Sequence, residues 1–589
     1  MTTSSLTTLK RYSTLLSTYL RPIKAEVAAL AVMLFSGIGL QLWTPQILRE
    51  FIDLAQSGGA SDALTRRAVL FFSLAVIGRA LQMATTYVAQ DVRWRATNGM
   101  RGDLAGHCLA LDMPFHNEHT PGSIIERIDG DVNVLSNFFS RFVIQIVGSA
   151  ALLIGILVLL FLEDWRIGIC YLVFVGAVSF VLGKSVSITV PLWKAERQAQ
   201  SEFYGFLEER LGGTEDIRAN GAVGYVLLQM KLLFRRVYIV SRKAYMASTA
   251  LNWGCTEGML ALGSVLALGL GGTLMLRGDI TIGAVYLVFH YNTMLQWPLN
   301  QLARQMRDMQ SASGSIERVQ ELFATTPKVQ EPDPARAQAL PSGALSLCFS
   351  GVDFAYEDDG LVLKDLTWKL ESRDVVGVLG RTGSGKTTIT RLLCRLYDPL
   401  RGEVRMGGLR LPDVPIASLR YRVGMVTQDV QLFQATVRDN LTMFDDRISD
   451  ERILAAVDEL GLDQWLQDLP EGLDTELGTT TTGLSAGESQ LLAFARVFLR
   501  DPGLVILDEA SSRLDPLTER LMERAIDRLF QDRTAVIVAH RLATVQRATK
   551  IMILEDGRIA EFGERLALAA DPTSRFSQLL RTGLEGVLV

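Results

Sequence analysis

Long uncharged stretches crowd the first half of the chain and are missing from the second. Residues 27–48, 142–162, 167–183 and 280–303 contain no Asp, Glu, Lys or Arg, and residues 68–90 and 244–276 contain one each, Arg79 and Glu257. Hydrocarbon ~30 Å thick is crossed by roughly 20 apolar residues in a helix, so the pattern predicts six membrane spans. The links between spans 1–2, 3–4 and 5–6 are short; EDWR at 163–166 and RGD at 277–279 are barely turns. The 2–3 and 4–5 links, residues 91–141 and 184–243, are long and carry Lys194, Arg197, Lys231, Arg235, Arg236, Arg242 and Lys243. Basic loops stay on the cytoplasmic side, which places the long links and both termini in the cytosol. Gly and Pro are sparse in these links and apolar residues recur at three and four, so the spans are expected to continue as helices, about 45 Å per arm at ~1.5 Å per residue. Lys10, Arg11, Arg21 and Lys24 precede the first span, which lacks a small-residue cleavage site and reads as a retained helix.

Past residue 325 the pattern changes. Residues 326–343 (TPKVQEPDPARAQALPSG) break any helical period and read as a linker. Beyond it, short runs rich in Val, Ile and Leu at 375–379, 423–426, 504–507 and 535–538 alternate with helix-like segments, as buried strands of an α/β domain do. The expected architecture is a membrane domain over 1–325, a linker over 326–343 and an α/β domain over 344–589. Composition agrees: 48% of the 589 residues are hydrophobic and mean hydropathy is +0.22, an excess held by the first half. A net charge of −5 gives no pull toward nucleic acid. Cys108, Cys170, Cys255, Cys348 and Cys394 are scattered without a CxxC pair and read as small hydrophobes rather than disulfides or zinc ligands.

The strongest chemical signal is GRTGSGKT at 380–387, directly after the strand-like VVGVL and before the helix-like TITRLLCRLY. Gly380, Arg381, Thr382, Gly383, Ser384 and Gly385 form a loop whose backbone N–H groups turn inward around phosphate oxygens. The helix start, with Thr387 and Thr388, adds its positive end. Lys386 is a point charge for β- and γ-phosphates, and the Thr387 hydroxyl a ligand for Mg²⁺. The domain is therefore expected to be an α/β P-loop NTPase binding ATP with Mg²⁺. LVILDE at 504–509 is an apolar strand ending in two carboxylates: Asp508 suits the Mg²⁺ shell through water, and Glu509 is placed to polarise the attacking water. His540 follows the strand TAVIVA, at the strand end where open α/β sheets bind ligands, and is expected to contact the γ-phosphate.

Taken together these residues resemble the ABC transporter superfamily, specifically exporter half-transporters with six membrane helices fused to an ATPase domain, and the resemblance runs over almost the whole chain. LSAGE at 484–488 looks like the family signature, so Ser485, Ala486, Gly487 and Glu488 are implied to complete the ATP site of the opposite subunit. The resemblance further implies that Gln428 senses Mg²⁺ and the attacking water, that Tyr356 stacks on adenine, that SSRLD ending in Asp515 is the D-loop, and that His540 is the switch histidine. It assigns two docking tips, DMPFH at 112–116 with Thr120-Pro121-Gly122, and GGTEDIR at 212–218 with Asn220-Gly221, one on its own ATPase domain and one on the partner's.

The signature departs from the usual LSGGQ. Ala486 adds a methyl where backbone approaches phosphate, and Glu488 puts an anion where a neutral amide is usual. Intact Walker motifs beside an altered signature suggest one subunit of a bacterial heterodimeric multidrug or lipid exporter in the cytoplasmic membrane, a homodimer being the other reading. Export of an amphipathic drug, lipid or peptide is expected; an importer on the same fold and a nucleotide-gated regulator or channel are the alternatives. Arg79, Glu257 and His290 lie within spans, where charges are costly and often face a water-filled path. They either line the substrate route or are structurally paired, and Gln41, Gln145, Asn252, Asn292 and Gln296 are weaker candidates of the same kind.

Overall fold

The structure, a computed structural model, describes residues 17–141, 146–356, 360–427, 430–478, 484–508, 516–539 and 545–582. The chain divides into two compact units, one of Met1–Ala110 with His119–Thr325, the other of Leu111–Glu118 with Thr326–Val589.

The first unit is a bundle of long helices. In chain order they are α1 (Lys24–Gln56), α2 (Ser61–Ala110), then, after the short helix α3 (Met113–Glu118) that belongs to the second unit, α4 (Val132–Arg141), α5 (Gly148–Glu163), α6 (Trp165–Gly212), α7 (Thr214–Ala219), α8 (Val223–Leu276) and α9 (Ile282–Ala324). Among the described residues, four segments are long and apolar enough to cross a membrane, Ser17–Gln56, Ser61–Ala110, Trp165–Gly212 and Glu257–Leu276, and Gly148–Glu163 is apolar but shorter. The sixth apolar stretch runs within α9. With 48 residues in α6 and 54 in α8, these helices reach ~75 Å at ~1.5 Å per residue, far past the hydrocarbon, as the long basic links suggested. Pro45, Pro191 and Pro298 sit inside helices, where neighbouring groups in a bundle can satisfy the freed carbonyls.

At the end of the bundle remote from the basic links, ion pairs fix the short turns. Arg49 reaches Glu163 at 2.5 Å and Arg166 reaches Asp279 at 3.0 Å. Asp53 accepts from Thr281 Oγ1 and Gly283 N, both at 2.8 Å, capping α9.

The second unit is built on two sheets. An antiparallel sheet has the order β2-β1-β4-β5, with β1 Leu347–Phe354, β2 Leu363–Leu370, β4 Arg401–Met406 and β5 Leu409–Arg410. The larger sheet has the order β10-β9-β3-β8-β7-β6, with β3 Val375–Gly380, β6 Val423–Val426, β7 Leu504–Asp508, β8 Thr534–Val538, β9 Lys550–Glu555 and β10 Arg558–Glu564. Its strands from β9 to β6 run parallel, and only β10 is antiparallel. Both faces are covered, which explains the unbroken apolar runs. Val376 and Val378 of β3, Leu504 and Ile506 of β7 and Val536 of β8 face a core shared with the antiparallel sheet. Val375, Leu379, Val505, Leu507 and Ile537 face the helical side.

The stretch over 326–343 has neither helix nor strand but is held along its length. Arg395 donates to Gln330 O at 2.8 Å, Gln338 N to Asp413 O at 2.9 Å, and Arg422 to Pro341 O at 3.1 Å. Val329 and Leu340 are buried. The Pro-rich composition removes regular structure without making this segment a loose tether.

Candidate functional site

Parallel register brings the site together. Val378 of β3 pairs with Val538 of β8, Val538 with Asp508 of β7, and Leu507 of β7 with Val426 of β6. Four strands therefore end at one edge of the sheet, the edge where α/β folds collect ligands. From β3 the chain turns through Gly380–Gly385 into α10 (Lys386–Leu393).

The turn depends on glycine. Gly380 has φ 153°, and a Cβ there would run into the Leu554 carbonyl oxygen and the Ser384 hydroxyl; Gly385, at φ 104°, would meet Leu363 Cδ2 at 2.6 Å. Only a glycine backbone fits such a closely lined, left-handed cradle. Ser384 Oγ is buried and finds no hydrogen-bond partner among the described residues. Lys386 is only 6% exposed, and its ammonium donates to Gly380 O at 2.6 Å and Arg381 O at 3.0 Å. A buried cation, an unpartnered buried hydroxyl and N–H groups at a helix start fit a polyphosphate. Arg381, Thr382, Gly383 and Thr387 are exposed at the loop and helix start, and Thr388 is buried behind them. Asp508 closes β7, half-buried.

Tyr356 follows β1. Its hydroxyl lies 3.1 Å from Thr388 Oγ1 and accepts from Arg391 Nη1 at 3.1 Å, with the guanidinium 5.6 Å from the ring centroid. Phe354 and Tyr397 meet the ring edge-on at 4.8 and 5.2 Å. The aromatic is thus tied to the phosphate-loop helix. Arg391 escaped the sequence reading, although its place one helical turn past Thr387 was the available signal.

The signature segment opens α11 (Ala486–Arg500). Glu488 Oε2 accepts from Ser485 N at 2.7 Å, and Ser485 Oγ accepts from Glu488 N at 3.2 Å, a reciprocal capping box. Gly487 is buried, and nothing is described of the Ala486 side chain. The anion expected to be foreign to this position is therefore used to satisfy the helix's own first turn. Gln428, Glu509, Asp515 and His540 lie outside the described residues; the strands leading toward three of them, β6, β7 and β8, end at the edge just described.

Of the two expected docking tips, the first sits in the second unit. Asp112 Oδ2 accepts from Lys328 N and from Val329 N at 3.1 Å, Asn117 Nδ2 donates to Tyr397 OH at 2.8 Å, Phe115 is buried and Met113 packs on the core beneath. Burial raises the Tyr397 phenol above its usual range. The second tip, α7, has no buried residue.

The polar residues of the spans are only partly gathered. Glu257 Oε1 and Gln296 Nε2 are 3.4 Å apart, and Asn292 is buried, donating to Leu260 O and Ser264 Oγ. His290 stacks on Tyr286 at 5.9 Å. Arg79 is exposed and bonded to Gln82 of its own helix. Gln41 is exposed; Gln145 and the side chain of Asn252 lie outside the described residues.

A P-loop ATPase of this geometry, carried on one polypeptide with a bundle of membrane-crossing helices, defines an ATP-dependent membrane translocase. Residues 27–299 match the family described as ABC transporter transmembrane region, and residues 363–512 match the family described as ABC transporter. The chain belongs to the ABC transporters, in the half-transporter form that fuses one membrane domain to one ATPase domain. It is a multi-pass membrane protein and an ATPase. It is 29% identical over 560 residues to an uncharacterized ABC transporter ATP-binding protein of Bacillus subtilis, spanning 94% of this chain and 92% of that one. It is 29% identical over 508 residues to an ATP-dependent lipid A-core flippase of Chromobacterium violaceum, 85% and 86% of the two chains. A putative multidrug export ATP-binding/permease protein of Staphylococcus aureus is 27% identical over 569 residues, 94% and 96%. The fold matches a bacterial Atm1-family ABC exporter solved with ATP bound, with TM-score 0.78 at 23% identity over 95% of this chain and 98% of that one.

Proposed function

We propose that the protein is one half of a dimeric exporter that moves an amphipathic molecule, a drug, lipid or peptide, out across the cytoplasmic membrane, with both termini in the cytosol. The observation that carries this reading is the joining of the Lys386 cradle and the Asp508 strand end at one sheet edge to a membrane bundle in the same chain. The names of the flippase and multidrug relatives favour export and an amphiphilic cargo.

Gly380–Gly385 and Lys386 bind the ATP phosphates, Thr388 and Arg391 hold the Tyr356 ring for adenine, and His540 contacts the γ-phosphate. Thr387, Gln428 and Asp508, the last through water, would hold Mg²⁺, which supplies positive charge to the β- and γ-oxygens. Glu509 polarises the attacking water. Asp515 and the signature residues Ser485, Ala486, Gly487 and Glu488 belong to the seam with a second half-transporter. Shared nucleotide favours the closed pair of ATPase domains, a population shift, and hydrolysis releases it. Glu509→Gln should lower ATP turnover roughly 10²–10³-fold while leaving ATP binding intact; unchanged hydrolysis removes Glu509 from this role. Flux measured in inverted vesicles separates export from import.

The second subunit is proposed to be a different chain. The Glu488 carboxylate accepts from Ser485 N while Glu488 N is engaged by Ser485 Oγ, so a γ-phosphate arriving at the α11 start meets an anion and two donors already in use. That weakens the composite site this chain completes for its partner, while its own Walker site stays whole. Vigorous transport-coupled hydrolysis by the purified chain alone would replace the heterodimer with a homodimer.

A further inference from the structure

The chain passes between its two units at three places: after Ala110 at the end of α2, between Glu118 and His119, and after Thr325 beyond α9. Just on the membrane-unit side of these crossings, the three chain segments are tied to one another. Residues 126–131 form a π-helical turn leading into α4, an irregularity that costs helix geometry and tends to occur where function requires it. It ends on Asp131, which is 5% exposed. Asp131 accepts from Arg318 Nε at 2.9 Å, Arg318 Nη2 at 2.5 Å and Ser315 Oγ at 2.8 Å, all on α9. This forked pair is the strong geometry for Arg and carboxylate, and it raises the Arg318 pKa further. Arg101 of α2 joins from the other side: it donates to Asn133 Oδ1 at 2.6 Å and lies 2.9 Å from Asp129. His107 Nε2, nearer the end of α2, lies 2.9 Å from Leu322 O on α9. Around these polar groups Met100, Leu104, Val132, Leu135, Val319 and Leu322 are buried.

Arg318 lies 36 residues past the start of α9 at Ile282, ~54 Å along the helix at ~1.5 Å per residue, well outside a ~30 Å hydrocarbon layer. The cluster, with Asp131 buried and the Arg318 side chain half exposed, therefore lies in the part of the bundle beyond the spans. A buried carboxylate is expensive unless paired, and among the described residues its partners, Ser315 and Arg318, come from the helix that carries the last crossing.

We propose that Asp131 is a positioning residue for coupling: with Ser315 and Arg318 it clamps the three crossings into one lever, so that movement of the docked segment 111–118 and movement of the chain beyond α9 reach the spans together. This deepens the transport reading and rests on it. The clamp residues all belong to the membrane unit and none to the phosphate cradle, so their loss leaves hydrolysis running while the spans cease to follow.

The test places spin labels at Ala60 and Leu276, both exposed near the far turns of the bundle, in the assembled, reconstituted transporter. Distance distributions are measured with and without Mg-ATP and vanadate, and ATP turnover is measured on the same samples. In the parent protein, nucleotide trapping redistributes the distances. In Asp131→Asn, turnover stays within about twofold while the redistributed fraction falls about tenfold, a typical size for a coupling free energy; Ser315→Ala gives a smaller loss in the same direction. Redistribution in Asp131→Asn equal to the parent overturns the clamp and leaves the transport reading standing. Parallel loss of turnover and redistribution in both variants also overturns it, since a merely structural role predicts that result. No redistribution in the parent itself overturns the transport reading and the clamp with it.

Discussion

The two hairpin tips between the long helices have opposite fates. Leu111–Glu118 is assigned by its contacts to the ATPase unit: Asp112 and Asn117 find hydrogen bonds there and Phe115 is buried. Thr214–Ala219, with Glu215 and Asp216 in its first turn, has no buried residue. Both are short helices at hairpin ends, so length and helicity do not distinguish them. What differs is whether the chain supplies the surface each requires. A tip satisfied within its own chain acts as an anchor, and docking of the exposed one on a second subunit is the proposal that the contrast tests.

That contrast can be broken at either end. The largest effect is expected from Asp112→Ala, which strips the charged acceptor from two backbone amides at about 2 kcal/mol. Amide exchange at Lys328 and Val329 should then rise roughly thirtyfold, and unchanged protection would show that the anchor lies elsewhere. Next, Ile217→Asp on α7 should lower ATP turnover of the assembled transporter about tenfold, a coupling-sized loss, with no change in unfolding of the isolated chain. An effect on the isolated chain instead would mean that α7 is used internally. Tyr397→Phe removes one neutral hydrogen bond to Asn117 and should cost about 1 kcal/mol, read as roughly fivefold faster exchange over 111–118. The smallest signal is a silence: burial pushes the Cys394 thiol up to about 12, and since only thiolate attacks, maleimide should leave Cys394 unmodified at pH 8 and react only as pH approaches 12. Labelling at pH 8 in Asp112→Ala alone would show that the first tip seals the core beneath Tyr397.

Much of the fold could be read from residue pattern because its causes are local or periodic. The uncharged stretches answer to bilayer thickness, and the runs at 375–379, 423–426, 504–507 and 535–538 became β3, β6, β7 and β8 because a sheet covered on both faces needs apolar residues at every position. The glycines of 380–385 announced the cradle because no other residue fits its backbone. What sequence could not supply were pairings between distant segments. Asp131 with Arg318, Asn117 with Tyr397 and Asp112 with the amides of 328–329 lie 187, 280 and 216–217 residues apart, and no periodicity links them. Glu488 was visible as an anomaly, but that its carboxylate would turn back onto Ser485 rather than face outward depends on the first-turn geometry of α11. The stretch over 326–343, without helix or strand, was recognisable from its prolines; its attachment was not, because backbone amides carry no sequence signature.

The seating of Leu111–Glu118 means that cutting the chain at residue 325 does not yield two self-sufficient pieces. A fragment beginning there would uncover the core surface on which Met113 packs, leave the amides of 328 and 329 without their acceptor and present an apolar patch to solvent. Such a fragment should be prone to self-association, and a synthetic octapeptide of sequence LDMPFHNE added to it should bind and restore solubility, repairing the domain from a segment encoded more than two hundred codons upstream.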